Sequence, residues 1–277
     1  MVWDWVAGAL LAGVAWQAEL LIPLALMVMI HQGGMIANDL ADLREDRAVG
    51  RRRPLADGSL PTAAAWMALL ILHGGALALA AWAVPAALEI TAGLIAVALL
   101  YDFGGRGLRT LMGPALLAVA RAGSLLFVGI VHGGASMALE RVGLAAAASY
   151  ALYFLFLSRF ASREESGVDS RNGISLLVMA ALVPAVLLFQ KPFPILAGLI
   201  WPALALWMLL PAWRLRAQRT WSPAQVQALV RRGLGLAPTV PALALLAHPA
   251  ALNPAWAIGG VVTVVLVRTL ARRFPPE

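Results

Sequence analysis

The chain has 277 residues, 61% of them hydrophobic and 13% charged, with a mean hydropathy of +0.82 and a net charge of +7. A soluble domain carries about twice that share of charge, so the composition excludes one and points to a polytopic membrane protein. The absence of cysteine excludes disulfides and thiolate metal sites.

The chain opens Met-Val-Trp-Asp-Trp, with no basic segment ahead of an apolar one, so no cleavable signal peptide is expected. Apolar runs near the roughly 20 residues that span a bilayer fall at 5–18, 20–41, 62–84, 86–103, 112–131, 140–160, 172–190, 193–213, 233–248 and 253–271. The expected fold is all-α, a polytopic transmembrane bundle of nine or ten helices in one domain over 1–277. Basic residues cluster between the runs: Arg44, Arg47 and Arg51 to Arg53; Arg106 with Arg109; Arg159, Arg163 and Arg171; Arg214 to Arg232; and Arg268 to Arg273. Two spans separate each of the first four clusters from the next. All four therefore lie on one face, the cytoplasmic one by the positive-inside rule. The opposite loops, such as Val84-Pro85, His132-Gly133-Gly134 and Gln190-Lys191-Pro192, are short and nearly uncharged. The last cluster joins the same face if the C-terminal region crosses twice, which favours ten segments. Ser222-Pro223-Ala224-Gln225 reads as a helix start with proline at its first position. It opens a short amphipathic helix, ending at Arg231-Arg232 and lying at the membrane interface.

The basic clusters have no interleaved aromatics, so they report topology and not a nucleic-acid surface. The histidines His31, His73, His132 and His248 are too dispersed for metal-ligand spacing. His31, His73 and His132 read as helix-packing residues.

Chemistry gathers where the second apolar run ends, at Asn38-Asp39-Leu-Ala-Asp42-Leu-Arg-Glu-Asp46. Asn38, Asp42 and Asp46 are four apart and Asp39 is three before Asp42, so a helix puts them on one slowly drifting side. Carboxylates at the end of a buried helix are costly and need partners or a task. Hard oxygen ligands on one face suit Mg²⁺, and Mg²⁺ suits a diphosphate. The alternative is a solvated loop of mixed charge.

The stretch continues through Arg53-Pro54-Leu55-Ala-Asp57-Gly58. Asn-Asp-x-x-Asp-x-x-x-Asp followed by Arg-Pro-Leu-x-x-Gly resembles the UbiA superfamily of intramembrane prenyltransferases, closely over 38–60 and more weakly along the rest. Tyr101-Asp102, then Arg106 or Arg109, Gly113-Pro114 and Arg121 resemble that family's fourth and fifth helices. The resemblance implies a bundle around a central cavity. Asn38, Asp39, Asp42 and Asp46 would hold Mg²⁺ and a polyprenyl diphosphate, with the three aspartates catalytic. Arg53, Tyr101, Arg106, Arg109 and Arg121 would bind substrate, and the prenyl group would pass to an acceptor not named by the sequence. For Arg121 the alternatives are an ion pair or snorkelling; for Tyr101, a place in the interfacial belt.

The chain departs from the family in three places. The second Asp-x-x-x-Asp motif is missing after Tyr150-Ala-Leu-Tyr153. The chain has Ser158-Arg159-Phe-Ala-Ser162-Arg163-Glu164-Glu165-Ser-Gly167-Val-Asp169 instead. This resembles the divergent EboC-like branch found in bacterial biosynthetic gene clusters. Glu164, Glu165 and Asp169 would partly replace the motif, or simply pair with Arg159, Arg163 and Arg171. Ser124 stands where relatives often carry asparagine, and the lead before Asn38 is short. The expected setting is the bacterial inner membrane, with the site facing the cytoplasm. The alternative function is a non-catalytic relative that binds or moves an isoprenoid or a small metabolite.

Overall fold

The fold is that of a computed structural model, which describes residues 2–14, 17–164, 166–189 and 195–247. The expected span 253–271, the arginines Arg268 to Arg273, His248, the loop 190–192 and Glu165 lie outside the described residues, as does the side chain of Arg106.

Among the described residues, ten α-helices follow in order: α1 Val2–Leu11, α2 Leu21–Ala48, α3 Thr62–Ala83, α4 Leu88–Phe103, α5 Gly105–Ala138, α6 Leu144–Ala161, α7 Ser170–Leu182, α8 Ile195–Arg214, α9 Pro223–Leu236 and α10 Thr239–Ala247. Among the described residues, seven helical stretches are long and apolar enough to cross a membrane. The protein is an integral membrane protein. Its outer face carries the large apolar side chains such a protein exposes to lipid, including Trp82, Leu70 and Leu111.

Helix α2 shows why these segments fold as they do. Leu26, Ile30, Gly33, Ala37 and Leu40 recur every three or four residues and are buried, so one stripe packs inward. Helix α3 answers with Ala65, Leu69, His73, Ala76 and Ala80. The ring of His73 fills the notch at Gly33, and its Nε2 lies 3.4 Å from the Ile30 carbonyl.

Helix α5 is the central element, packed against α1, α4 and α6. One apolar cluster joins α1 and α5 to α2, α3 and α4 through Met27, Ile95 and Phe127. The other joins α1 and α5 to α6 through α10 via Leu125, Tyr153 and Met208.

The structure corrects several boundaries. The first run is a helix of 10 residues, not a span over 5–18; at about 1.5 Å per residue it covers half a bilayer. Gly8 lets it lie directly on the Leu125 backbone of α5, as small residues do where membrane helices touch. The expected turn at 132–134 is present: Gly134 leaves helical geometry at φ +78°, and the chain folds back so that Ala138 lies against Gly129. The amphipathic helix at 223 is real, with Ser222 and Gln225 forming a capping box and Pro223 in the first turn. It runs on to Leu236 instead of stopping at Arg232.

Gly167, at φ +73°, turns the chain after α6, a conformation only glycine adopts without strain. Residues Val168–Asp169 then pair antiparallel with Thr220–Trp221. The ribbon ties the α6–α7 connection to the α8–α9 connection. The basic segments around 163–171 and 214–221 therefore share one end of the bundle. Trp221 is buried beneath the ribbon, edge-on to Phe160 at 6.2 Å.

Candidate functional site

The C-terminal half of α2 sends its polar side chains in two directions. Asn38 Nδ2 donates to Asp42 Oδ2 at 3.2 Å, and Asp42 Oδ1 accepts from Arg109 at 2.7 Å. Asp39 and Asp46 turn instead toward the loop that follows α2. Arg53 donates to Asp39 at 3.2 Å and to Asp46 at 2.9 Å. Arg51 donates to the other Asp46 oxygen at 3.0 Å. Asp46 is buried, with 2% of its side chain exposed, so this arginine pair is what makes its charge tolerable.

The Arg-Pro-Leu-x-x-Gly segment is the frame of that loop. Leu55 plugs into a small core of Ala37, Leu40, Ala65 and Leu69. Its carbonyl accepts from Arg47 at 3.4 Å. The Leu60 N–H bonds to the Pro54 carbonyl at 2.8 Å, and Gly58 takes φ +84° to allow it. Asp57 accepts from the Ser59 N–H, which holds its carboxyl below the usual carboxylate range.

Arg109, near the start of α5, is gripped on three sides. Beyond Asp42, it donates to the Asp102 carbonyl at 3.0 Å and the Tyr101 carbonyl at 3.4 Å, and its guanidinium lies 5.6 Å from the Tyr101 ring. The last carbonyls of α4 lack helix partners, and Arg109 supplies the donors. One residue thus joins α2, α4 and α5.

These side chains stand between two hollows. A polar cleft of about 730 Å³ has Asp42, Glu45 and Arg51 on one wall, Tyr101 and Arg109 on the next, and Ser158, Arg159, Ser162, Arg163 and Glu164 from the end of α6 across from them. A mainly apolar pocket of about 280 Å³ lies alongside, between α2, α4 and α5. Tyr101 and Leu117 line both. Asn38, Tyr101 and Asp102 stand at the cleft end of the pocket, while His31, Arg121 and Ser124 stand deeper among Met27, Ile30 and Leu94.

The structure therefore brings together Asn38, Asp42, Tyr101, Arg109 and Glu164, and puts Arg121 in the wall of the adjoining pocket. It does not bring Asp39, Asp46 or Arg53 to either hollow. Asp169 is the N-cap of α7, accepting from the Arg171 and Asn172 N–H groups at 3.1 and 3.3 Å. The expected carboxylate of a second motif is at this position a helix cap.

Arg121 makes the ion pair the sequence left open. It lies near the middle of the span Gly107–Ser136, 3.4 Å from Asp4 Oδ2 and 4.7 Å from the centre of the Phe154 ring. Tyr150 donates to Asp4 Oδ1 at 2.7 Å. Asp4 was hidden by its place in a short apolar run; its one signal was an acid between two tryptophans. Asp102 was also missed. It is buried, it lines the pocket, and its Oδ1 has no hydrogen-bond partner among the described residues.

That open oxygen bears on Mg²⁺. The ion keeps several waters and takes one or two carboxylates plus substrate phosphates, not an all-protein cage. Asn38, Asp42 and Asp102, at the meeting of cleft and pocket, have the donor chemistry for it. No group of three or more histidine, aspartate or glutamate side chains forms a dedicated metal cage among the described residues. No family model, curated protein or solved structure matches the chain.

Proposed function

We propose that the protein is an intramembrane prenyltransferase of the UbiA kind. It would move a prenyl group from a polyprenyl diphosphate to a small or lipidic acceptor, with its site on the cytoplasmic side of a bacterial inner membrane. The observation that carries this reading is the polar, arginine-lined cleft adjoining an apolar pocket, with Tyr101 in both walls. A prenyl diphosphate has the same two halves. Cleft and pocket together would be the central cavity.

Each group then has a task. Arg109, held by Asp42 and the α4 carbonyls, presents a fixed cation to phosphate oxygens as the allylic carbon–oxygen bond breaks. Asn38, Asp42 and Asp102 would hold Mg²⁺, which when bound neutralises diphosphate charge. The apolar pocket walls keep water from the allylic cation until the acceptor attacks. Asp39, Asp46 and Arg53 act indirectly, by fixing the end of α2.

The test is release of pyrophosphate from allylic diphosphates by the purified protein in nanodiscs, with and without Mg²⁺. Turnover should need Mg²⁺ and should fall at least about 100-fold in Asp42→Ala, the scale of losing a preorganised charge-stabilising group. Unchanged turnover in folded Asp42→Ala would sink the assignment.

One observation favours a second reading. The end of α6 offers Ser158 and Ser162 where two acids would hold a further metal, and Asp169 is committed to α7. A non-catalytic isoprenoid-binding protein would bind allylic diphosphate without releasing pyrophosphate.

A further inference from the structure

We propose that the end of α6 grips the diphosphate directly, with Arg159 and Arg163 as cationic donors and Ser158 as a hydroxyl donor, where a second metal would otherwise be required. This rests on the prenyl diphosphate reading above.

Ser158 and Arg159 lie on the last turn of α6, and Ser162 and Arg163 in the turn that follows directly after Ala161. All four line the cleft opposite Asp42. The two arginines are exposed to it, and their side chains form no ion pair or hydrogen bond among the described residues. The other two arginines described in the cleft are already engaged, Arg109 with Asp42 and Arg51 with Asp46. Ser162 Oγ donates to the Arg159 carbonyl at 2.9 Å, so its proton is spent and Ser158 is the described serine of this wall left to donate.

The chemistry follows from these donors. A second metal would need carboxylates on this wall, and Glu164 is the sole described one. Arginine needs none. Its planar fork presents paired N–H groups to phosphate oxygens and keeps its charge at any physiological pH. The leaving diphosphate would thus lie between a metal on the α2 side and arginines on the α6 side. Phosphate is also the headgroup chemistry of anionic lipids, so the test must separate the two sources.

Inorganic pyrophosphate is titrated by calorimetry into the full chain in phosphatidylcholine nanodiscs, once in EDTA and once in Mg²⁺. The wild type should bind in EDTA. Arg159→Gln/Arg163→Gln should weaken binding about tenfold or more in both conditions, as expected for lost charge-assisted bonds. Arg159→Lys/Arg163→Lys should recover part of it. Asp42→Asn should remove the gain that Mg²⁺ adds and leave the binding in EDTA dependent on Arg159 and Arg163. Loss of all wild-type binding in EDTA, or wild-type affinity in the glutamine variant, overturns the proposal. So does a glutamine variant whose only change is weaker association with phosphatidylglycerol vesicles, because the arginines would then read lipid. Magnesium-free binding that depends on the arginines, in a protein that never releases pyrophosphate from an allylic diphosphate, sinks the transferase reading and leaves the grip standing.

Discussion

Arg109 uses separate nitrogens for separate helices: one for the Asp42 carboxylate, another for the Asp102 carbonyl. A lysine has a single ammonium on a flexible stem and cannot hold both at once. Arg109→Lys should therefore keep the charge and lose the alignment. We expect a drop of about 1–3 kcal/mol in stability, read as a lower unfolding temperature in detergent, with pyrophosphate release falling further than the melting shift explains. A variant with wild-type melting and turnover would show that the fork is not needed. The same residue marks how far sequence reading reaches at this scale. Residue type and spacing single out Asn38 and Asp42, because polar groups at the ends of apolar runs are expensive and conspicuous, while Tyr101 and Arg109 enter through the family resemblance. The direction each carboxylate turns is not in the spacing. Asp39 and Asp46 go to Arg53 because the loop after α2 folds back over them, a tertiary event. Asp102 follows Tyr101 directly, yet only the packing of α4 against α5 leaves its oxygen open toward the pocket.

The loop between α2 and α3 belongs to the scale of elements. Its arginine is useful only because Leu55 anchors the chain beneath it. Leu55 has 5% exposure in a core of four other buried residues. Leu55→Ala should cost about 2–5 kcal/mol, the range for truncating a buried leucine. It should also free Arg53 from Asp39 and Asp46, which chemical denaturation and proteolysis of residues 51–61 would report together. A small stability change with an intact loop would contradict the anchoring role. The helix starts were readable here, since Ser222 with Pro223 and Gln225 is a local signal that needs no tertiary context. The turn at 132–134 was legible because Gly134 takes a positive φ that interrupts helical geometry. The helix ends were less so. Helix α6 ends at Ala161 and Gly167 turns the chain before Asp169, so helical spacing carries no facial meaning across that stretch.

At the scale of the whole molecule, composition and the basic clusters went furthest. They gave an all-helical membrane bundle with its arginines at one end, and the cleft shows segments 42–51, 101–113 and 158–164 meeting there. What they could not give was the charge pair near the middle of the apolar span Gly107–Ser136. Asp4→Asn leaves Arg121 without its counter-charge in an apolar span, at a cost of about 3–5 kcal/mol. Asp4→Asn/Arg121→Gln removes both charges and should recover most of that loss. Thermal unfolding of the two single variants and the double variant measures the coupling; additive losses would rule out a true pair.

That pair also dictates a timetable. Asp4 precedes Arg121 by 117 positions and Tyr150 by 146. A helix of 10 residues cannot hold itself across a bilayer. The pairing therefore couples α1 to helices translated much later, and the Asp4 carboxylate meets Arg121 and Tyr150 only once α5 and α6 lie beside it.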